Sequence, residues 1–295
     1  MYPLAKLKLI YHNSCPWEKH YIRELFGNIQ YDIINVDHQL FDNKLDKEDE
    51  IVNNNVLVFS SNAYQYKQIL NFVLRVKPLI IIHLSDEWGR TPNYTHLAAH
   101  TKLFLHQYHS NNYPYNNYKN VIQIPLGYMT GMFGGKNSLD FKIKPLLERK
   151  YTWSFVGNIK KDRPELLNKF SKRFTRKFVG KNIKANNMLN IYNDSIFVPN
   201  GRGNVTVDCF RIYEAILSGS IPVIVCNPDE YKNAFYYNND IPPFIFEKSW
   251  DDAVNKCEHL LNNIELLKIT QQQNYNWLRN KIISIQDIIC STLNI

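Results

Sequence analysis

An α/β fold of two Rossmann-like domains facing a cleft follows from three features of this sequence. Short apolar, β-branched runs alternate with helix-length amphipathic segments along most of the chain, as repeated βαβ units require. The alternation breaks once, at Met129–Lys150, where Gly131, Gly134, Gly135, Ser138 and Pro145 mix with charges and read as a linker. At 295 residues, 44% hydrophobic and 21% charged, the chain is long enough for two cores and too apolar to be disordered.

Taken in order, the first half places strands at Leu7–Tyr11, Tyr31–Val36, Val56–Ser60, Leu79–Leu84, Leu103–His106 and Val121–Ile124. Helical patterns fall at Pro16–Phe26 and Ala63–Val76, the second with Ile69, Phe72, Val73 and Val76 on one side. The second half places strands at Thr152–Val156, Phe174–Val179, Ser195–Val198, Ile221–Val225 and Phe244–Phe246. Its helices are expected at Arg163–Arg173, Asn186–Tyr192, Val207–Leu217 and Trp250–Leu261, and the chain is mainly helical from Ile264 onward. The expected domains are therefore 1–130 and 151–275, joined by 131–150 and followed by a helix over 276–295.

Bulk chemistry narrows the function less than the motifs do. A net charge of +8 suits an anionic substrate such as a nucleotide sugar, and equally a nucleic acid. Five cysteines, with no C-x-x-C and with Cys209 and Cys226 inside apolar elements, read as buried thiols of a reducing compartment. Neither a signal peptide nor a membrane-spanning run is visible, so the expected location is the cytoplasm, or the host-cell cytoplasm for a viral protein, without membrane insertion.

The most informative stretch is Ser195–Val225, SIFVPNGRGNVTVDCFRIYEAILSGSIPVIV. It reads as strand, glycine- and arginine-bearing loop, helix, glycine turn and strand. Arg211 and Glu214, three residues apart, share one helical face near its first turn. A helix N-terminus with arginines beside it offers backbone N–H groups and guanidinium forks to a diphosphate, and a glutamate one turn further in suits a ribose diol. The alternative is an ordinary βαβ unit whose Arg and Glu form a surface pair.

This stretch resembles the donor-binding half of exostosin-type glycosyltransferases. Their comparable segment runs from a strand ending in proline, through an arginine-bearing loop, to an R-x-x-E-A helix and a G-x-I-P-V-I strand. The matching residues are Pro199, Arg202, Arg211, Glu214, Ala215, Gly219, Ile221 and Pro222. Weaker similarity extends to FVGN (Phe155–Asn158) with Arg163 upstream, and to PPFIF (Pro242–Phe246) downstream. The resemblance implies the GT-B type of fold, with an acceptor-side first domain, a donor-binding second domain and a C-terminal helix returning to the first. It implies transfer, with inversion, of a sugar from a UDP-sugar donor to a hydroxyl of a glycan acceptor. No nucleic acid is expected as partner, since no recognisable nucleic-acid module accompanies the basic stretch Lys172–Lys184. The xylosyltransferase branch makes UDP-xylose the first donor expected. A GDP-fucose transferase shares a similar R-x-x-E-A-I helix and is the nearest alternative enzyme.

In open α/β sheets ligands sit beyond the carboxyl ends of the strands, so the loops there are the candidate sites. On the donor side they give Gly157, Asn158, Arg163, Gly180, Arg202, Arg211 and Glu214, with Tyr192 or Phe178 as alternatives for stacking on a base. In the first half the loop HLSDEWGR follows a buried strand and places Asp86 and Glu87 beside Trp88 and Arg90. Inverting transfer needs one carboxylate or imidazole to take the acceptor's proton, and a tryptophan can floor a sugar ring. Asp86 or Glu87, unranked, is the expected base, with His12 as a second candidate; Trp88, Arg90 and Trp17 are the acceptor-binding candidates. No D-x-D triplet and no zinc-like spacing occurs, so neither metal nor cofactor is expected, and the nucleotide sugar is itself a substrate. A reading of another class, a basic nucleic-acid-binding protein, rests on KRFTRKFVGKNIK at Lys172–Lys184; an inactive nucleotide-sugar-binding relative is the third.

Overall fold

A computed structural model describes residues 6–12, 15, 17–36, 52, 54–60, 66–84, 87, 94–109 and 115–294. Among these residues two all-parallel sheets form, each within its own compact unit. The first unit comprises Met1–Pro16, Leu25–Ile124 and Ile283–Ile295; the second comprises Trp17–Glu24 and Pro125–Ile282.

The first sheet contains β1 (Leu7–His12), β2 (Tyr31–Val36), β3 (Asn55–Ser60), β4 (Ile80–Leu84), β5 (Leu103–His106) and β6 (Val121–Gln123) in the order β2-β1-β3-β4-β5-β6. Helix α1 (Lys19–Leu25) precedes β2, and α2 (Tyr66–Val76) joins β3 to β4. β3, β4 and β5 are buried along their whole length, as expected of a parallel sheet covered on both faces. Ile69, Phe72, Val73 and Val76, the apolar stripe of α2, pack against Leu57, Phe59, Ile81 and Phe104.

The second sheet contains β7 (Tyr151–Val156), β8 (Lys177–Gly180), β9 (Ser195–Asn200), β10 (Ile221–Val225) and β11 (Ile245–Glu247) in the order β11-β10-β9-β7-β8. Its helices are α3 (Arg163–Arg173), α4 (Ala185–Asn193), α5 (Phe210–Leu217), α6 (Pro228–Ala234), α7 (Trp250–Leu261) and α8 (Ile264–Leu293). Trp153, Phe155, Phe197, Ile221 and Val223 pack with Leu166 and Phe170 of α3 and with Trp250, Ala253 and Cys257 of α7. Helix α8 begins in the second unit and ends in the first, as the expected returning helix does. No helix among the described residues is long and apolar enough to cross a membrane.

Three local readings need correction. The strand expected at Phe174–Val179 begins at Lys177, because Phe174 closes α3 with its N–H on the Phe170 carbonyl and its ring against Phe170. The helix expected from Val207 begins at Phe210, since Cys209 keeps an extended backbone. The stretch read as a linker is packed against the second unit. Ser138 donates through N–H and Oγ to Glu24, and buried Arg149 donates to the carbonyls of Lys144 and Ser195. Tyr128 also donates to Glu24, whose carboxyl burial pushes above its ordinary range.

Candidate functional site

The second sheet reverses its winding between β7 and β9: the chain steps from β7 outward to β8, then crosses to β9 and continues to β10 and β11. Such a reversal leaves a crevice beyond the carboxyl ends of the two strands, here at Gly157 and at Asn200–Gly203. Arg211, on α5, spans it. Its Nε and Nη2 donate to the Val156 carbonyl at 3.1 and 3.0 Å, and its Nη1 donates to Asn200 Oδ1 at 3.1 Å. Arg163 approaches from α3, donating to the carbonyls of Asn158 and Arg202, each at 2.7 Å. Both guanidinium groups lie over the Phe155 ring, at 4.7 Å for Arg211 and 5.7 Å for Arg163.

The turn is built for glycine. Gly157 has a φ of +153°, and a Cβ there would sit 2.7 Å from Arg211 Nη2 and 3.7 Å from Arg163 Nη1. Its N–H donates to the Gly180 carbonyl at 3.0 Å, tying the ends of β7 and β8 together. At Gly201 a Cβ would meet Arg163 Cγ at 2.6 Å. Gly157, Arg163 and Arg211 therefore converge, with Gly180 and Asn158 beside them.

The electrostatics favour an anion. Burial works against the Arg211 charge, but Cys209, Tyr192 and Glu214 more than offset it, and its pKa is raised. Its side chain donates to the Val156 carbonyl, to Asn200 Oδ1 and to the Cys209 sulfur. Glu214, buried one turn further along α5, accepts the Met129 N–H at 3.1 Å. Burial pushes its pKa up to about 7, while that hydrogen bond and Arg211 pull the other way.

Arg202 does not join the other two arginines. Its side chain makes a two-pronged pair with Glu230 of α6, and its N–H donates to Asp162 Oδ1 at 2.9 Å. The sequence reading missed Glu230 and its helix, although Asn227-Pro228-Asp229-Glu230 is a helix start: Asn227 Oδ1 accepts the Glu230 N–H. It missed Asn200 as well. Tyr192 is fully buried, and Phe178 packs beside Tyr151.

The first sheet reverses between β1 and β3, which puts His12, the buried last residue of β1, at that unit's own switch point. Glu87 lies in a turn after β4. Asp86, Trp88 and Arg90 lie outside the described residues. Trp17 is 55% exposed and belongs to the second unit, where its carbonyl accepts from Thr130 N–H and Oγ1 at 2.5 and 2.7 Å. His83 and His106, near the ends of β4 and β5, are held neutral, burial pushing both down to about 3. Among the described residues no group of three His, Cys, Asp or Glu side chains is placed to hold a metal ion.

No family model and no curated protein sequence matches the chain. The fold does match solved structures. An alpha-glucosyltransferase in complex with UDP and a 13-mer DNA containing an HMU base superposes with a TM-score of 0.61 at 9% identity, over 98% of this chain and 100% of that one. A DNA-modifying beta-glucosyltransferase gives 0.53 at 14% identity, over 98% and 100%. The O-GlcNAc transferase of Thermobaculum terrenum gives 0.54 at 11% identity, over 100% of this chain and 68% of that one. These likenesses are of fold, and establish two Rossmann-like units of the GT-B type. The expectation that nucleic acid is no partner falls here, because structures similar over 98% and 92% of the chain hold DNA together with UDP or with UDP-glucose.

Proposed function

We propose that this chain is an exostosin-like glycosyltransferase that moves a sugar from a UDP donor to a hydroxyl carried by DNA. The observation that carries the reading is the convergence of Gly157, Arg163 and Arg211 at the switch point of the second sheet. Two guanidinium groups fixed by carbonyl oxygens, behind a turn that only glycine fits, make a preorganised site for a diphosphate. The UDP found in structural neighbours supports a uridine nucleotide, and their DNA, with the net charge of +8, supports a nucleic-acid acceptor.

In the reaction, the acceptor oxygen attacks the anomeric carbon, the bond from that carbon to the diphosphate breaks, and the acceptor's proton passes to a base. Arg163 and Arg211 stabilise the charge that develops on the leaving diphosphate. Inversion follows from a single displacement, with Asp86, Glu87 or His12 as the base and Trp88, Arg90 and Trp17 as acceptor-side groups. Gly180 and Asn158 line the donor's path beside the turn, while Arg202 acts through its backbone and its pair with Glu230.

The test is transfer itself. UDP-xylose and UDP-glucose are supplied with duplex DNA bearing hydroxymethylated bases, and mass spectrometry of the DNA is expected to show one added sugar per modified base. A protein that binds UDP yet leaves every such duplex unchanged in mass would refute the DNA acceptor. A protein that binds no nucleotide would refute the transferase reading altogether.

A further inference from the structure

The second sheet ends in a basic edge that the donor site does not use. Strand β8 is the outermost strand, with Lys177 and Val179 exposed and Phe178 and Gly180 turned inward. No acidic residue occurs from 166 to 193, a stretch holding Lys169, Lys172, Arg173, Arg176, Lys177, Lys181 and Lys184. Lys169 pairs with Asp251 and Arg173 with Glu258, and Arg176 is spent on the carbonyls of Arg149 and Lys150. Lys172, Lys177, Lys181 and Lys184 stay exposed, and no carboxylate among the described residues pairs with them.

The spacing suits a polyanion. At about 3.3 Å per residue along β8, Lys177 stands roughly 13 Å from Lys181, the first residue past the strand's end. One DNA strand presents about four phosphates over that length. The edge also leads to the donor crevice, since Val156 pairs in register with Gly180 and Gly157 donates to the Gly180 carbonyl. We propose that Lys172, Lys177, Lys181 and Lys184 form a contact surface for the phosphate backbone of duplex DNA, holding the acceptor alongside the crevice. This rests on the DNA-acceptor reading above. The competing role for such lysines is to keep an exposed strand from pairing with another copy of the chain.

The experiment compares the wild type with a K172Q/K177Q/K181Q/K184Q variant, and with a control of equal net charge, K142Q/K232Q/K248Q/K256Q. Binding of a fluorescent unmodified duplex is measured from 50 to 200 mM salt, UDP binding by calorimetry, and self-association by sedimentation. Losing four phosphate contacts should lower the slope of log Kd against log salt by about 3.6, which removes roughly a hundredfold salt effect over this range. The expected result is that loss in the edge variant alone, with UDP affinity unchanged. An edge variant with the wild-type or control slope would overturn the proposal, and self-association would assign the lysines to edge protection. Wild type that binds anionic lipid vesicles but no duplex would overturn it too. Failure to bind UDP, with the slope difference intact, would refute the transferase reading and leave the surface standing.

Discussion

Replacing Glu214 by glutamine removes a titration while keeping the oxygen that accepts the Met129 N–H. The carboxyl is buried on α5, and burial lifts its pKa from the ordinary 4.5 to about 7. A gap of about 2.5 units corresponds to about 3 kcal/mol, at 1.36 kcal/mol per unit. The folded state binds this proton more tightly than the unfolded chain does. The contribution to stability is therefore fully present below pH 4.5 and is lost as the pH rises through 7. A Glu214→Gln variant should gain on the wild type by about 3 kcal/mol between pH 4 and pH 8.5. For a unit of this size that is a relative gain in Tm of roughly 6–12 °C. Differential scanning calorimetry across the pH series reads it directly. A Tm gap that stays constant with pH, or that widens towards acid, would refute the account of Glu214 as a buried, proton-holding carboxyl.

Other consequences follow from the same geometry. Gly157→Ala would drive a Cβ to within 2.7 Å of Arg211 Nη2, so UDP affinity should fall about tenfold or more, about 1.4 kcal/mol, while circular dichroism keeps its native form; unchanged affinity would mean that the turn is not part of the donor site. His83 and His106 are held neutral to about pH 3, so the first unit should lose stability as the pH falls below 6.5. A His83→Gln/His106→Gln variant should flatten that acid slope in thermal melts, and an unchanged slope would count against the burial argument. If Arg163 and Arg211 carry the leaving-group charge as proposed, turnover should survive EDTA; loss in EDTA restored by manganese would contradict this.

Most of the fold was legible because parallel strands announce themselves. IIIHL, LFLH and IPVIV are short runs dominated by Ile, Leu, Val and Phe and buried along nearly their whole length, and little else produces them at that length. Boundaries were less legible where a side-chain hydrogen bond near the helix start bore on them. Asp208, two residues ahead of α5, is held by the Tyr213 hydroxyl at 2.7 Å, and the helix starts after it. That Gly157, Arg163 and Arg211 gather at the strand ends could be anticipated from motif and position, since the strand ends dictate where a crevice falls; their donor role is the proposal made above. What they touch could not. Arg202 turned towards Glu230, 28 residues on; Glu214 took an N–H 85 residues away; Glu24 bonded Ser138 across 114 residues. No local period carries such pairings, which is why a packed stretch looked like a linker.

On the proposed function, the crevice between the ends of β7 and β9 holds a nucleoside diphosphate. Calorimetric titration of UDP and of GDP, in EDTA, into the wild type and Arg211→Lys tests it most directly. The lysine keeps the charge and loses the fork that ties Val156 to Asn200. The account predicts that wild type binds UDP in preference to GDP and that Arg211→Lys weakens it about tenfold or more, about 1.4 kcal/mol. GDP preference would keep the crevice and move the donor to the fucosyltransferase kind. No binding by the wild type, or equal affinity in the variant, would contradict the claim.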